Sequence, residues 1–391
     1  MLVSIFAIMI YITLVFFNRF YGTFMHAHSE SLGSSSCIQL IYAGGTFGSY
    51  GKPLMPLPVA EFLPALQNLM AEHDKPAYQP TMTWLNNTLI KDSSQFNPRD
   101  LVHFYTLILD AYAAGHRQFL LITGTDTLSY LGAFLAEAFA GSDLCLILTG
   151  SMRPLLDSDI LDTYCVDAKS DAWDNFNDAL RLAAAGESGV KISFGGESWA
   201  AQTVQKIHSH DLMAFTGHSR AAYPANSYPK TLSDVRKQHW LDDQRAIVDS
   251  THTRAEQATI HALYCLPNDP EVLCRQLQAL LNSPPCGIIL LGFGAGNIPY
   301  SPTLAAALQQ AYDSGHMVVC ASQCPFGGVS DSYAAGSWQY DYHVIAGGRL
   351  TIAAIYARLL WLLLRYDTPA RRRQRWAHTV SQTTTTAPKS R

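Results

Sequence analysis

The sequence predicts an α/β protein of two domains: a larger N-terminal parallel-sheet domain and a smaller C-terminal α/β domain. Three observations carry this. A chain of 391 residues, 48% apolar and 15% charged, is long for one core and has ample material for two. An apolar run, then glycine with hydroxyl residues, then a helix or loop recurs at residues 38–48, 119–127 and 144–154. The same alternation returns in shorter form beyond residue 257. Strand and helix patterns in alternation argue for a parallel sheet with its strand ends on one edge.

Taken in order, residues 38–42 read as a buried strand running into Ala43-Gly44-Gly45-Thr46-Phe47-Gly48. Residues 59–70 form a helix, and Pro98-Arg99-Asp100 opens another that runs to about residue 114. Residues 119–122 are a strand, 131–140 a helix and 144–148 a strand ending in Thr149-Gly150-Ser151-Met152-Arg153-Pro154. The stretch 156–168, with Asp157, Asp159, Asp162 and Asp167, has the character of a surface insertion. A helix over 171–185 carries Trp173, Phe176, Leu180 and Ala184 at core spacing, and 190–194 is a strand. The polar, proline-bearing stretch 224–256 is expected to connect the domains. Strands at 258–266, 287–292 and 317–320 and helices at 270–282, 303–314 and 350–366 complete the second domain. The last helix is interrupted by Arg358 and Arg365, so it reads as a packing helix rather than a membrane span. The expected organisation is an N-terminal segment and linker (1–36), a catalytic domain (37–223), the connection (224–256), a C-terminal domain (257–366) and a disordered tail (367–391).

Composition excludes some function classes. The net charge is −4, and no basic patch is interleaved with aromatic residues, so a nucleic-acid partner is not expected. The run Arg371-Arg372-Arg373-Gln374-Arg375 reads as a solvated tail. The eight cysteines have irregular spacings, which argues against a disulfide framework and for a reducing compartment. Cys145 and Cys320 lie in apolar runs, where cysteine acts as a small buried hydrophobe. Residues 2–17 are nearly all apolar but fall short of the ~20 needed to span a bilayer. They have no Lys or Arg before them and no convincing small-residue cleavage site. A short anchor, an atypical signal and a misassigned start with Met25 as the alternative all remain open. If the segment inserts, Arg19 on its C-terminal flank favours a cytoplasmic body.

Three clusters carry chemistry. Gly124-Thr125-Asp126-Thr127 places hydroxyls and a carboxylate at the end of a buried strand, where open α/β sheets bind ligands. The plainer reading is a helix start, with Thr125 or Asp126 as the N-cap. Thr46 sits on a glycine turn able to move and to approach a ligand closely. Asp92-Ser93-Ser94 either caps the following helix or offers hydroxyls and amides to a small polar ligand. Lys206 by itself would be a solvated surface charge. His208 and His210 have no third ligand at a telling spacing, so no metal site is expected.

Together and in this order, the motifs Gly44-Gly45-Thr46-Phe47-Gly48, Asp92-Ser93-Ser94, Gly124-Thr125-Asp126-Thr127, Gly150-Ser151-Met152-Arg153-Pro154, Asp171-Ala172-Trp173 with Asn175, Lys206 and Gly294-Ala295-Gly296-Asn297 resemble the asparaginase/glutaminase family. Bacterial L-asparaginases of the cytoplasmic type I are the nearest in pattern, over residues 38–366. The resemblance implies an amidohydrolase that converts asparagine and water to aspartate and ammonia without metal or cofactor. It implies that Thr46 is the nucleophile on the flexible loop. It implies a second triad of Thr125, Asp126 and Lys206, with Ser93, Ser94, Thr125 and Asp126 contacting the substrate. A homodimer or homotetramer with sites between subunits is likewise implied. Glutamine hydrolysis, another amide, or binding without turnover are the alternatives. The chain departs from the family pattern at Ala43, in the early placement of Tyr50 as the only loop tyrosine, at Ala200 and Thr203, where arginines are usual, and in the acidic insertion.

Overall fold

A computed structural model describes residues 37–72, 80–159, 164–217, 228–330 and 334–384. The apolar segment 2–17 lies outside the described residues.

The first sheet has six strands. Strand β1 (Ile38–Tyr42) is buried along its whole length, so both of its faces are covered, as its unbroken apolar run requires. A single 3₁₀ turn follows at Thr46–Gly48, then a short hairpin of Ser49–Tyr50 against Met55–Pro56. Helix α1 is Val59–Glu72 and β2 is Met82–Trp84. Helix α2 (Pro98–Ala113) starts at a capping box: Asn97 bonds the helix backbone, and Asp100 returns a bond to the Asn97 N–H. Strand β3 (Gln118–Ile122), helix α3 (Leu128–Ala138) and strand β4 (Cys145–Thr149) come next. Helix α4 (Ala172–Ala185) stops at Gly186, which takes φ 66°, a left-handed conformation that glycine adopts without strain. Strands β5 (Gly189–Phe194) and β6 (Glu197–Ala200) finish the sheet.

The strand order is β2-β1-β3-β4-β5-β6, parallel throughout except for the last pair. The ends of β1, β3 and β4 therefore lie side by side, as the repeated strand-glycine pattern implies. Two strands escape sequence reading. Met82–Trp84 is a three-residue edge strand, too short to show a period. Glu197–Ala200 is an antiparallel return with exposed and half-buried positions. A further two-residue ladder joins β7 (Gln205–Lys206) to β8 (Phe215–Thr216).

The stretch expected to be a plain connection contains two helices, α5 (Asp234–Arg245) and α6 (Val248–Ala255). The second sheet is a four-stranded parallel sheet in chain order. It contains β9 (Ile260–Tyr264), β10 (Gly287–Gly292), β11 (Met317–Ser322) and β12 (Ile345–Ala346). Helices α7 (Pro270–Leu281) and α8 (Pro302–Asp313) connect its strands, and each has a capping Asp or Ser followed by proline at its first turn. Cys145 and Cys320 are buried.

Helix α9 (Ile352–Arg365) packs the two sheets' domains together. Its Trp361 meets Tyr105 of α2 at 5.3 Å and Phe134 of α3 at 5.9 Å, both edge-on. Its Arg358, 7% exposed, holds Glu137 of α3 at 2.8 Å. No helix among the described residues is long and apolar enough to cross a membrane.

The expectation of a disordered tail is corrected for its described part, which ends at residue 384. Pro369–Thr384 is a helix, α10. Trp376 is buried, and the Arg358 guanidinium lies 5.4 Å from its ring centre. Arg373 stacks on Tyr312 at 3.7 Å and donates to the carbonyls of Tyr312 and His316. Those carbonyls lie at and just beyond the C-terminus of α8, the negative end of its dipole. The arginine run is thus partly a docking device, which its charge alone conceals.

Candidate functional site

The site forms where the ends of β1, β3 and β4 adjoin. Strand β3 ends in Thr123-Gly124-Thr125-Asp126, and helix α3 starts only at Leu128. The N-cap is Thr127, whose hydroxyl does not cap the helix but donates to the Ser93 carbonyl at 2.9 Å. Thr125 and Asp126 are therefore not the caps that the local sequence permits. Their side chains meet Lys206, which donates to Thr125 Oγ1 at 3.0 Å and to Asp126 Oδ1 at 2.8 Å. Thr125 is buried, Asp126 is largely exposed and Lys206 is only 21% exposed. Far from being a solvated charge, the lysine bridges a hydroxyl and a carboxylate that lie about eighty residues earlier in the chain.

Lys206 is held by the β7–β8 ladder, in which it pairs with Phe215. Phe215 is buried against Phe194 of β5, with ring centres 4.8 Å apart. The loop after Lys206 is tied by Ile207 and His208 N–H bonds to the Ala214 carbonyl. His208 Nδ1 accepts bonds from the His210 and Asp211 amides, so it serves the loop's own structure. Among the described residues no group of three His, Cys, Asp or Glu is placed to hold a metal ion.

Thr46 opens the 3₁₀ turn after β1 and is half-buried. Gly45, with φ 87°, brings this turn against β3: a Cβ at Gly45 would lie 2.3 Å from Gly124 Cα. A Cβ at Gly124 would in turn lie 2.4 Å from Ser93 Oγ. The Thr46 turn, the Thr125 strand end and Ser93 thus come together through backbone contacts that only glycine permits. Gly45→Ala is expected to abolish more than about 90% of activity and to lower the unfolding midpoint, since backbone must move and φ is unfavourable. Kinetic assay with thermal unfolding checks this, and wild-type values for both would contradict the close contact.

Ser93 and Ser94 separate in space. Ser93 is buried beside Gly124, whereas Ser94 is exposed and its N–H is used by the Asp92 carboxylate at 2.8 Å. Asp92 does cap its short turn, while the long helix α2 has its own cap in Asn97. The Tyr50 ring lies edge-on to Tyr164 of the acidic insertion, 5.5 Å away.

Two positioning residues went unrecognised as such in the sequence. Asp171 accepts from the Met152 and Arg153 amides and from Asn175 Nδ2. Asn175, 2% exposed, also donates to the Gly150 carbonyl and accepts from the Gly195 amide. Together they fasten the loop after β4, where Gly150 lies under Thr123 and Thr125. The available signal was an Asp and an Asn four apart on a helix whose other inward residues are apolar.

An electrophilic carbonyl brought to this strand end would lie beside the glycine turn that carries Thr46 and a hydroxyl, Thr125, bonded to an ammonium. That set suits nucleophilic acyl transfer.

The family description "Asparaginase, N-terminal" matches residues 37–232, and "Glutaminase/Asparaginase C-terminal domain" matches residues 259–375. L-asparaginase 1 of Escherichia coli (strain K12) is 26% identical over 329 residues, covering 83% of this chain and 91% of that protein. The human 60 kDa lysophospholipase is 25% identical over 357 residues, 86% of this chain but 59% of that protein. The solved thermostable L-asparaginase from Thermococcus kodakarensis superposes with a TM-score of 0.66 at 23% identity, over 86% of this chain and 96% of that one. Both domain descriptions match in order over most of the sequence, and the chain belongs to the asparaginase family.

Proposed function

We propose that the protein hydrolyses the side-chain amide of L-asparagine, giving L-aspartate and ammonia. The observation that carries this reading is the Lys206 ammonium bridging Thr125 Oγ1 and Asp126 Oδ1, next to the turn that presents Thr46. Thr46 Oγ attacks the amide carbon, and the proton it gives up is carried to the amide nitrogen as the carbonyl oxygen gains charge. The C–N bond then breaks, ammonia leaves, and an acyl ester with Thr46 remains. Water near Thr125 attacks this ester, and its proton passes through Thr125 and Lys206 to Thr46 Oγ as the C–Oγ bond breaks, which restores the Thr46 hydroxyl. Ser93 and Asp126 orient the substrate's carboxylate and amino groups, with Ser94 at the rim. The scheme uses no cofactor and no metal ion. Assembly as a homodimer or homotetramer in the cytoplasm belongs to the same reading.

The test is ammonia release from L-asparagine by purified protein. Thr46→Ala is expected to reduce kcat by at least about 10³-fold, the loss of an activated nucleophile, with an unchanged unfolding midpoint. Full turnover in this variant would overturn the assignment. Because one methylene is worth only ~1–3 kcal/mol in a pocket, kcat/KM for asparagine and glutamine should be measured together, and asparagine is expected to be preferred.

A further inference from the structure

The acidic insertion reaches back to the turn that carries Thr46, and it touches that loop at two depths. At the root, Leu155 N–H donates to the Phe47 carbonyl at 3.0 Å, one residue from Thr46. Leu155 and Leu156 are buried in the same apolar cluster as Phe47. An antiparallel bridge between Leu156 and Val166 closes this root, with the Asp157 amide bonded to the Cys165 carbonyl and the Asp167 amide to the Leu155 carbonyl. At the tip, the Gly51 amide donates to Ser158 Oγ at 3.1 Å, Lys52 meets Asp159 at 2.6 Å, and Tyr164 sets its ring edge-on to Tyr50. Tyr164 also reaches Glu61 of α1.

We propose that this arm, through Ser158, Asp159 and Tyr164, is a positioning element that fixes the hairpin after Thr46 and, through it, the placing of the Thr46 turn. The proposal rests on the reading of Thr46 as nucleophile. The two depths have different physics. The root contacts are buried and backbone-based, so they persist. The tip contacts are exposed, and an exposed ion pair is weak and screened by salt. The tip contacts are therefore the weaker of the two, and the hairpin they hold carries the exposed side chains Leu54 and Met55. The ion pair has a defined pH window. The Asp159 carboxyl is pushed below its usual range by the Lys52 hydrogen bond, and Lys52 is pushed up by the same partner, with Asp157 and Lys169 as minor influences. The clasp is thus intact at neutral pH and is lost as pH falls through the depressed range of Asp159.

The test compares wild type, Ser158→Ala with Asp159→Asn, and the charge swap Lys52→Asp with Asp159→Lys. Hydrogen exchange at Gly51 and its neighbours is expected to speed up by about tenfold in the first variant and to stay near wild type in the swap. For asparagine turnover, the first variant should show KM raised about three- to tenfold with kcat nearly unchanged, and the swap should restore KM. Unchanged exchange and unchanged KM in the first variant would overturn the proposal. The exchange readout needs no turnover, so an inactive wild-type protein would refute the proposed reaction while leaving the arm's role to be judged on exchange alone.

Discussion

Lys206→Met is expected to lower kcat for ammonia release by about 10²–10⁴-fold, the range for removing a positioned proton-transfer group. The fold should survive, because the lysine's main partners are a threonine hydroxyl and a largely exposed carboxylate. Asp126, left without its cation, can be hydrated where it stands. Steady-state kinetics with thermal unfolding separates the two effects: a large loss of kcat at an unchanged midpoint is the expected pattern. Lys206→Arg is expected to fail as well. A guanidinium holds its protons too tightly to give one up and regain it, and its planar fork cannot present a point charge in the same place. Full turnover in Lys206→Met would remove the relay from the mechanism.

The second large effect is on stability. Arg358 donates through Nε and Nη2 to Glu137 Oε1 at 3.0 and 2.8 Å, and both side chains are nearly buried. The pair joins α9 to the C-terminal end of α3, the helix that begins just after Asp126. Arg358→Ala strands the Glu137 carboxylate away from water and also removes the stack on Trp376. A cost of about 3–5 kcal/mol is expected, as for other buried pairs broken on one side. Replacing both partners by leucine should recover most of that loss, since no charge is then buried alone. Urea unfolding of the three proteins measures this. A double variant as unstable as the single one would show that packing on Trp376, rather than the stranded charge, dominates.

Much of the N-terminal sheet was legible because its strands are buried on both faces. Ile38–Tyr42, Gln118–Ile122 and Cys145–Thr149 are apolar runs that end in glycine, and such runs have few other places to go. The helix over 352–365 was legible as a packing helix for a similar reason: its two arginines interrupt a run that would otherwise suit a membrane. The short strands at 82–84 and 197–200 were not legible, since three or four half-exposed residues show no period. The terminal helix was misread because its stability comes from outside itself. An arginine-rich segment is disordered by composition, yet Trp376 finds a buried place and Arg373 finds carbonyls and a ring at the end of α8.

The site divides in the same way. Residue types and their order along the chain pointed to Thr46, Ser93, Thr125 and Asp126; the family resemblance singled out Lys206 and attached roles to all five. The sequence by itself determined that hydroxyls, a carboxylate and glycines would stand at adjacent strand ends, because the apolar runs that precede them dictate the sheet. Only the tertiary structure decided which partner each side chain takes. Thr125 and Asp126 could cap a helix at little cost, but Lys206 offers a charged donor to both at once, and the β7–β8 ladder holds it there. Likewise, the turn that carries Thr46 comes against the Thr125 strand end because Gly45 lies against Gly124 with no room for a Cβ, and the acidic arm meets the same loop across more than a hundred residues of chain. Local preferences of this size differ by only ~1 kcal/mol, so long-range packing decides among them.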